Sequence, residues 1–147
     1  GAMCAGSSNE RVKSWYSFGL NIGLAFQIQD DLLDTFGESG ATGKQVGGDI
    51  LADKKTLLWL TTMEQEAGRD ILNHWSQVPS PTTQEEMNSK IEAVRHAMVA
   101  AGADKKAQER MATHAEKALN SLSELGLSGA DAGWFEALAE HVVSRTH

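Results

Sequence analysis

Proline is nearly absent, with 2 residues among 147, and both fall in the short stretch Pro79 to Pro81. A backbone that is forbidden to continue as helix in only one place is free to be helical elsewhere. Cysteine is reduced to Cys4, which excludes an internal disulfide and fits a reducing compartment such as the cytoplasm. No apolar run approaches the roughly 18 residues that mark a membrane span, so no transmembrane segment is expected. Positive charge is scarce as well. Lys and Arg total 13 against 20 Asp and Glu, a net charge of -7, with a pI near 5.1. That balance excludes a nucleic-acid partner, because affinity for a phosphate backbone is built from accumulated Lys and Arg. If the chain handles phosphate, it must do so locally. Strand-like alternation, a repeat of fixed period and low-complexity tracts are also missing.

What remains is a composition of 41% hydrophobic and 22% charged residues, ordinary for one globular domain of this length. The fold class it predicts is all-α. A first long helix is expected over Asn9–Phe36, with Ser8 or Asn9 as its cap. At 100° per residue, Phe18, Ile22, Ala25, Leu32, Leu33 and Phe36 gather on one side, and Gln27, Asp30, Asp31 and Asp34 on the other, with Gln29 interrupting the apolar side. The glycine-rich stretch from Gly37 to Gly48 reads as a loop, and Asp49 is placed to cap the next helix. That helix is expected from Ile50 to about Glu66, opening with Lys54 and Lys55, and a shorter one reaches Val78. Thr83-Gln84-Glu85-Glu86 fits a capping box ahead of a stripe of Met87, Ile91, Val94 and Met98. Gly102 and Gly126 are placed to end helices. Between them Ala107, Met111, His114, Ala118, Leu122 and Leu125 form a stripe, and a last helix carries Trp134, Leu138 and Val142.

The chemistry concentrates in Asp30-Asp31-Leu32-Leu33-Asp34, which puts three carboxylates within about one helical turn, where like charges at i and i+4 repel each other by a few tenths of a kcal/mol. A hard divalent cation would offset that repulsion. Magnesium is suited to it, since it takes one or two carboxylate oxygens and fills its other positions with water and substrate phosphate. Gln27 stands one turn earlier on the same flank and can donate without adding charge. Lys44, Lys54 and Lys55 lie further along the sequence as cations for diphosphate oxygens. Taken singly, an acidic triplet on a helix is more often a solvated face and a lysine more often a surface residue. The glycine-rich loop lacks the spacing of a Walker loop. The five histidines have no ligand spacing and read as surface or packing residues, and the four tryptophans as core anchors or exposed surface.

The run Gly23-Leu24-Ala25-Phe26-Gln27-Ile28-Gln29-Asp30-Asp31-Leu32-Leu33-Asp34, then Gly43-Lys44, then Gly47-Gly48-Asp49-Ile50-Leu51-Ala52-Asp53-Lys54-Lys55-Thr56, closely resembles the second aspartate-rich region of the trans-isoprenyl diphosphate synthases. This resemblance implies a partial isoprenoid-synthase helical bundle, with residues 4–147 as the carboxy-terminal half of that domain; residues 1–3, Gly1-Ala2-Met3, resemble a protease-cleavage scar and read as an expression remnant. It implies a parent prenyltransferase that joins isopentenyl diphosphate to an allylic diphosphate, head to tail and dependent on Mg2+, releasing inorganic diphosphate. On that model Asp30 is the direct metal ligand, with Asp31 and Asp34 holding the metal's waters and Asp49 supporting them. Lys44 and Lys54 grip the diphosphate leaving group, and Gln27 lies beside the developing allylic cation or its leaving oxygen. Arg145 matches the arginine of the family's basic tail. Lys55 has no family role and reads as solvated.

The family's first aspartate-rich motif, its following arginines and its upstream Lys-Thr pair have no counterpart here, so the isolated chain is expected to be catalytically inactive. A half-fold would also leave apolar helix faces uncovered, which implies a homo-oligomer. Two readings stay open beside the enzyme fragment. One is a naturally short, noncatalytic partner of a complete synthase. The other is a helical cation or diphosphate binder unrelated to prenyl transfer.

Overall fold

The computed structural model describes residues 1–37, 46–127 and 129–144. Among them there is no strand, as the absence of alternation predicts. Seven helices run in order: α1 (Asn9–Phe36), α2 (Gly48–Leu51), α3 (Leu57–Met63), α4 (Glu66–Gln77), α5 (Gln84–Ala100), α6 (Ala103–Ser123) and α7 (Ala130–Ser144). They divide into two compact units. The first takes Gly1–Gln29 and Glu109–Thr146, the second Asp30–Gln108, so α1 and α6 each contribute to both.

In the first unit, Phe18 of α1 packs on Ala118, Leu122 and Leu125, with Trp15, Ile22, Leu127 and Phe135 around them. Trp15, Phe18 and Phe135 meet edge to face, with centroids 4.9–6.1 Å apart, the arrangement that aligns a ring's positive edge with its neighbour's negative face. A polar seam runs beside them. The Ser17 and Ser121 hydroxyls lie 2.7 Å apart, Asn21 Nδ2 donates to the Ser17 carbonyl at 2.8 Å, and His114 Nδ1 lies 2.9 Å from Asn21 Oδ1. Because the Asn21 amide is turned by its bond to Ser17, its oxygen faces His114, and the imidazole must donate from Nδ1. Arg11 donates to the Leu125 carbonyl at 2.9 Å, satisfying an acceptor just past the end of α6.

The last helix corrects the expected stripe. Val142 is buried, but Trp134 is 78% exposed and Leu138 47%; the inward face is Phe135, Ala139 and Val142, one residue further along.

In the second unit α4 packs on α5, α2 on α5, and α3 on both, around Leu58, Leu72, Ile91, Val94 and Met98. The capping box forms as expected: Thr83 Oγ1 accepts from the Glu86 amide at 3.2 Å while Glu86 Oε2 accepts from Thr83 N at 3.1 Å. Gly102 ends α5 at φ 67°, the left-handed end its position implied. The expected single helix from Ile50 to Glu66 is not found. It breaks after α2, where Asp53 takes φ 51°, and Lys54 and Lys55 lie in the irregular link instead of opening a helix. Thr56 caps α3 by accepting from Trp59 N at 3.2 Å. Asp49 is not a cap either. The residue ahead of α2 is Gly47, at φ 92°, and a Cβ there would stand 2.7 Å from Ile91.

Candidate functional site

The acidic end of α1 is less cleanly divided than a helical wheel suggests. Asp31 is buried along with Leu32 and Thr35, Asp34 is half-buried, and Asp30 is exposed. Asp31 therefore belongs to the edge of the packed face, not to the solvated one. Gln29, which interrupts the apolar side in sequence, is buried at 6% exposure.

Most of the expected loop, residues 38–45, lies outside the described residues, and two of these acids hold the chain where it resumes. Asp34 Oδ2 accepts from the Asp49 amide at 2.8 Å, and the Asp34 carbonyl accepts from Gly47 N at 2.6 Å. Asp49 is thereby set so that its own carboxylate meets Lys54, Nζ to Oδ2 at 2.8 Å, and the same ammonium reaches Asp31 Oδ1 at 3.2 Å. Acids that precede and follow residues 38–45 in sequence are thus drawn to one lysine. The hydrogen bond from Lys54 to Asp49 pushes the ammonium up to about 12, against an opposing effect of burial, with Asp31 adding to the rise. Lys54 stays charged at any physiological pH, and its ammonium has a third N–H beyond the two engaged here.

Gln27 is exposed on α1, one turn ahead of Asp30 and Asp31, and belongs to the first unit. Lys44 and Arg145 lie outside the described residues. Lys55, expected to be solvated, rests its ammonium over the Trp59 ring, 3.8 Å from the centroid, a cation–π contact. A cavity beside Lys54, lined by Thr35, Asp49, Asp53, Lys54, Thr56 and Trp59 among others, has about 10 Å³ of space. That is room for one water and not for a diphosphate.

Two contacts in this unit have no counterpart in the sequence pattern. Lys90, at 3% exposure, pairs with Asp53 Oδ1 at 2.9 Å, and Arg95 Nε donates to the Thr35 carbonyl. Lys90 shares its helical phase with the buried Val94 and Ala97, which is the one signal that could have found it.

A model of the polyprenyl synthetase family matches residues 1–94. The chain belongs to the polyprenyl synthetase family. Among curated relatives, a (2E,6E)-farnesyl diphosphate synthase of Mycobacterium tuberculosis is 30% identical over 147 residues, covering 99% of this chain and 40% of that one. A crystal structure of a geranylgeranyl pyrophosphate synthase superposes with a TM-score of 0.88 at 31% identity, over 99% of this chain and 45% of that one. A second, the geranylgeranyl pyrophosphate synthase of Corynebacterium glutamicum complexed with isoprenyl diphosphate and magnesium, gives a TM-score of 0.80 at 27% identity, over 96% of this chain and 39% of that one. This polyprenyl synthetase chain thus has the all-helical fold of those enzymes and spans less than half the length of each. Among the described residues no helix is long and apolar enough to cross a membrane.

Proposed function

We propose that this polyprenyl synthetase chain is the carboxy-terminal half of a trans-isoprenyl diphosphate synthase. On this reading the whole enzyme joins isopentenyl diphosphate to an allylic diphosphate head to tail, releasing inorganic diphosphate. The observation that carries this reading is the convergence of Asp31 and Asp49 on the Lys54 ammonium, with Asp34 holding the Asp49 backbone, which puts fixed positive charge at the carboxylate-lined end of α1. Retention of Gln27, Asp30 and Lys44 at the family spacing supports it.

The donor set fits magnesium. Its oxygens are hard carboxylates, the ligand type of a metal that takes one or two protein oxygens and the rest from phosphate and water. When bound, Mg2+ would neutralise charge on the diphosphate and so ease its departure. Asp30, exposed and without an ion pair among the described residues, offers oxygens most readily, with Asp31 and Asp34 beside it. Asp49 orients Lys54 from behind. Lys54 and Lys44 then stabilise the negative charge that builds on the leaving diphosphate, where fixed donors act most strongly. Gln27 supplies a neutral amide near the developing allylic cation or its leaving oxygen, and Arg145 helps cover the site.

Half of such a site cannot complete the reaction. Losing several charge-stabilising interactions of about 3 kcal/mol each removes essentially all turnover. A condensation assay with radiolabelled isopentenyl diphosphate and allylic diphosphates of increasing length tests both parts. The full-length parent forms magnesium-dependent product and the 147-residue chain forms none. A parent inert toward every allylic substrate overturns the assignment, and product from the isolated chain overturns its inactivity.

A further inference from the structure

Lys54 is the residue on which the acids converge, yet it sits in a link with no helix of its own to hold it. The link between α2 and α3 is secured by few backbone bonds: Asp53 N donates to the Ile50 carbonyl at 3.1 Å, Lys54 N to the Asp49 carbonyl at 2.9 Å, and Thr56 N to the Lys54 carbonyl at 2.9 Å. The turn that aims Lys54 back toward Asp49 and Asp31 depends on Asp53 taking φ 51°, and Asp53 is the one non-glycine among the described residues at positive φ. An L-residue resists that conformation because its Cβ crowds the backbone, although Asp tolerates it better than most. Something outside the link must keep it there. Lys90 is placed to do so. Its side chain is 3% exposed, so the ammonium is almost wholly withdrawn from water and needs a partner, and among the described residues it pairs with Asp53 Oδ1 at 2.9 Å, since a buried charge is tolerated only when paired. Lys90 is also fixed in turn, because it lies on the inward face of α5, where α2 and α3 both pack.

We propose that Asp53 and Lys90 are positioning residues: their ion pair holds the left-handed turn at Asp53 and thereby aims Lys54 at the acids of α1. The proposal rests on the diphosphate-site reading for its functional consequence, but not for its structural one. Pairing to α5 converts the stability of a packed helix into the orientation of a lysine whose own link is irregular. If the pair is broken, φ at Asp53 relaxes to its ordinary negative range, and Lys54 swings off Asp49 and Asp31 while α3 and α5 remain packed.

The test uses the full chain and two variants. Lys90→Met removes the buried charge, keeps an unbranched apolar stem and leaves Asp53 in contact with water, so the fold is retained. Asp53→Ala with Lys90→Met removes both charges together, keeps a Cβ at the positive-φ position and serves if the single variant is unstable. Hydrogen exchange of the Asp53, Lys54 and Thr56 amides should quicken about tenfold or more in either variant, while the α3 and α5 amides stay protected, as local opening without global unfolding requires. Affinity for inorganic diphosphate with magnesium should fall about five- to tenfold at an unchanged thermal midpoint, which a purely structural pair would not produce. Unchanged exchange in the link of a folded variant overturns the clamp, as does faster exchange spread evenly over the whole second unit. Should the unsubstituted chain bind no diphosphate, the diphosphate-site reading falls, and exchange alone decides the clamp.

Discussion

Asp30 and Asp31 are neighbours in sequence with opposite surroundings, and they should respond differently to loss of charge. Asp31 is buried and shares Lys54 with Asp49, whereas Asp30 faces solvent. Asp31→Asn is expected to lower stability by about 1 to 2 kcal/mol, discounted because Lys54 is half exposed, while Asp30→Asn stays within about 0.5 kcal/mol. Urea unfolding of the two variants checks this, and equal effects would argue against the split. A second residue sets a pH dependence. Burial in the polar seam, with Lys117 and Arg110 nearby, pushes the His114 imidazole below its ordinary 6.5. Protonation then favours the unfolded chain, so the His114 contribution is complete above 6.5 and is lost as pH falls through the lower folded value. Urea midpoints measured from pH 8 to 5 should fall at the acid end, and less so in His114→Gln.

At the level of elements, close approach decides more than propensity. Gly68, in the first turn of α4, has no room for a side chain: a Cβ would stand 2.6 Å from the Thr62 carbonyl oxygen and 2.8 Å from its methyl. Gly68→Ala, favourable in an isolated helix, is expected to cost about 1 to 3 kcal/mol here. Thr83→Ala, which removes one half of the capping box, should cost about 1 kcal/mol; thermal unfolding ranks the two. The same contrast separates the features legible in sequence from those that are not. The bounds of α1, the Thr83 box and the Gly102 stop arise from local chemistry that each segment carries itself, as does the spacing that gathers acids on α1. The break at Asp53 does not, because neither glycine nor proline marks it and the residue that pairs with Asp53, Lys90, is 37 residues away. For the same reason Asp31 counts as solvated by periodicity alone. Its burial is set by chain more than fifteen residues further on, which brings Lys54 against it. Trp134 and Phe135 are adjacent and both aromatic, so the phase of α7 is decided only by the ring cluster that Phe135 joins.

For the molecule as a whole, the chain spans 40% of a farnesyl diphosphate synthase, and apolar surface stands uncovered on it. Tyr16, Leu20 and Leu24 are 71%, 49% and 40% exposed at spacings of four along α1, a stripe that a stable monomer would ordinarily bury. Light scattering at increasing concentration should show self-association, and a clean monomer at the highest concentration would contradict it. Whether acids and ammonium on this chain hold a metal-bridged diphosphate is decided by calorimetric titration of inorganic diphosphate with and without magnesium, into the unsubstituted chain and Lys54→Met. Saturable binding that requires magnesium and weakens about tenfold or more on loss of the Lys54 charge is the expected result. Absence of binding at millimolar diphosphate, or binding indifferent to both magnesium and Lys54, would contradict it.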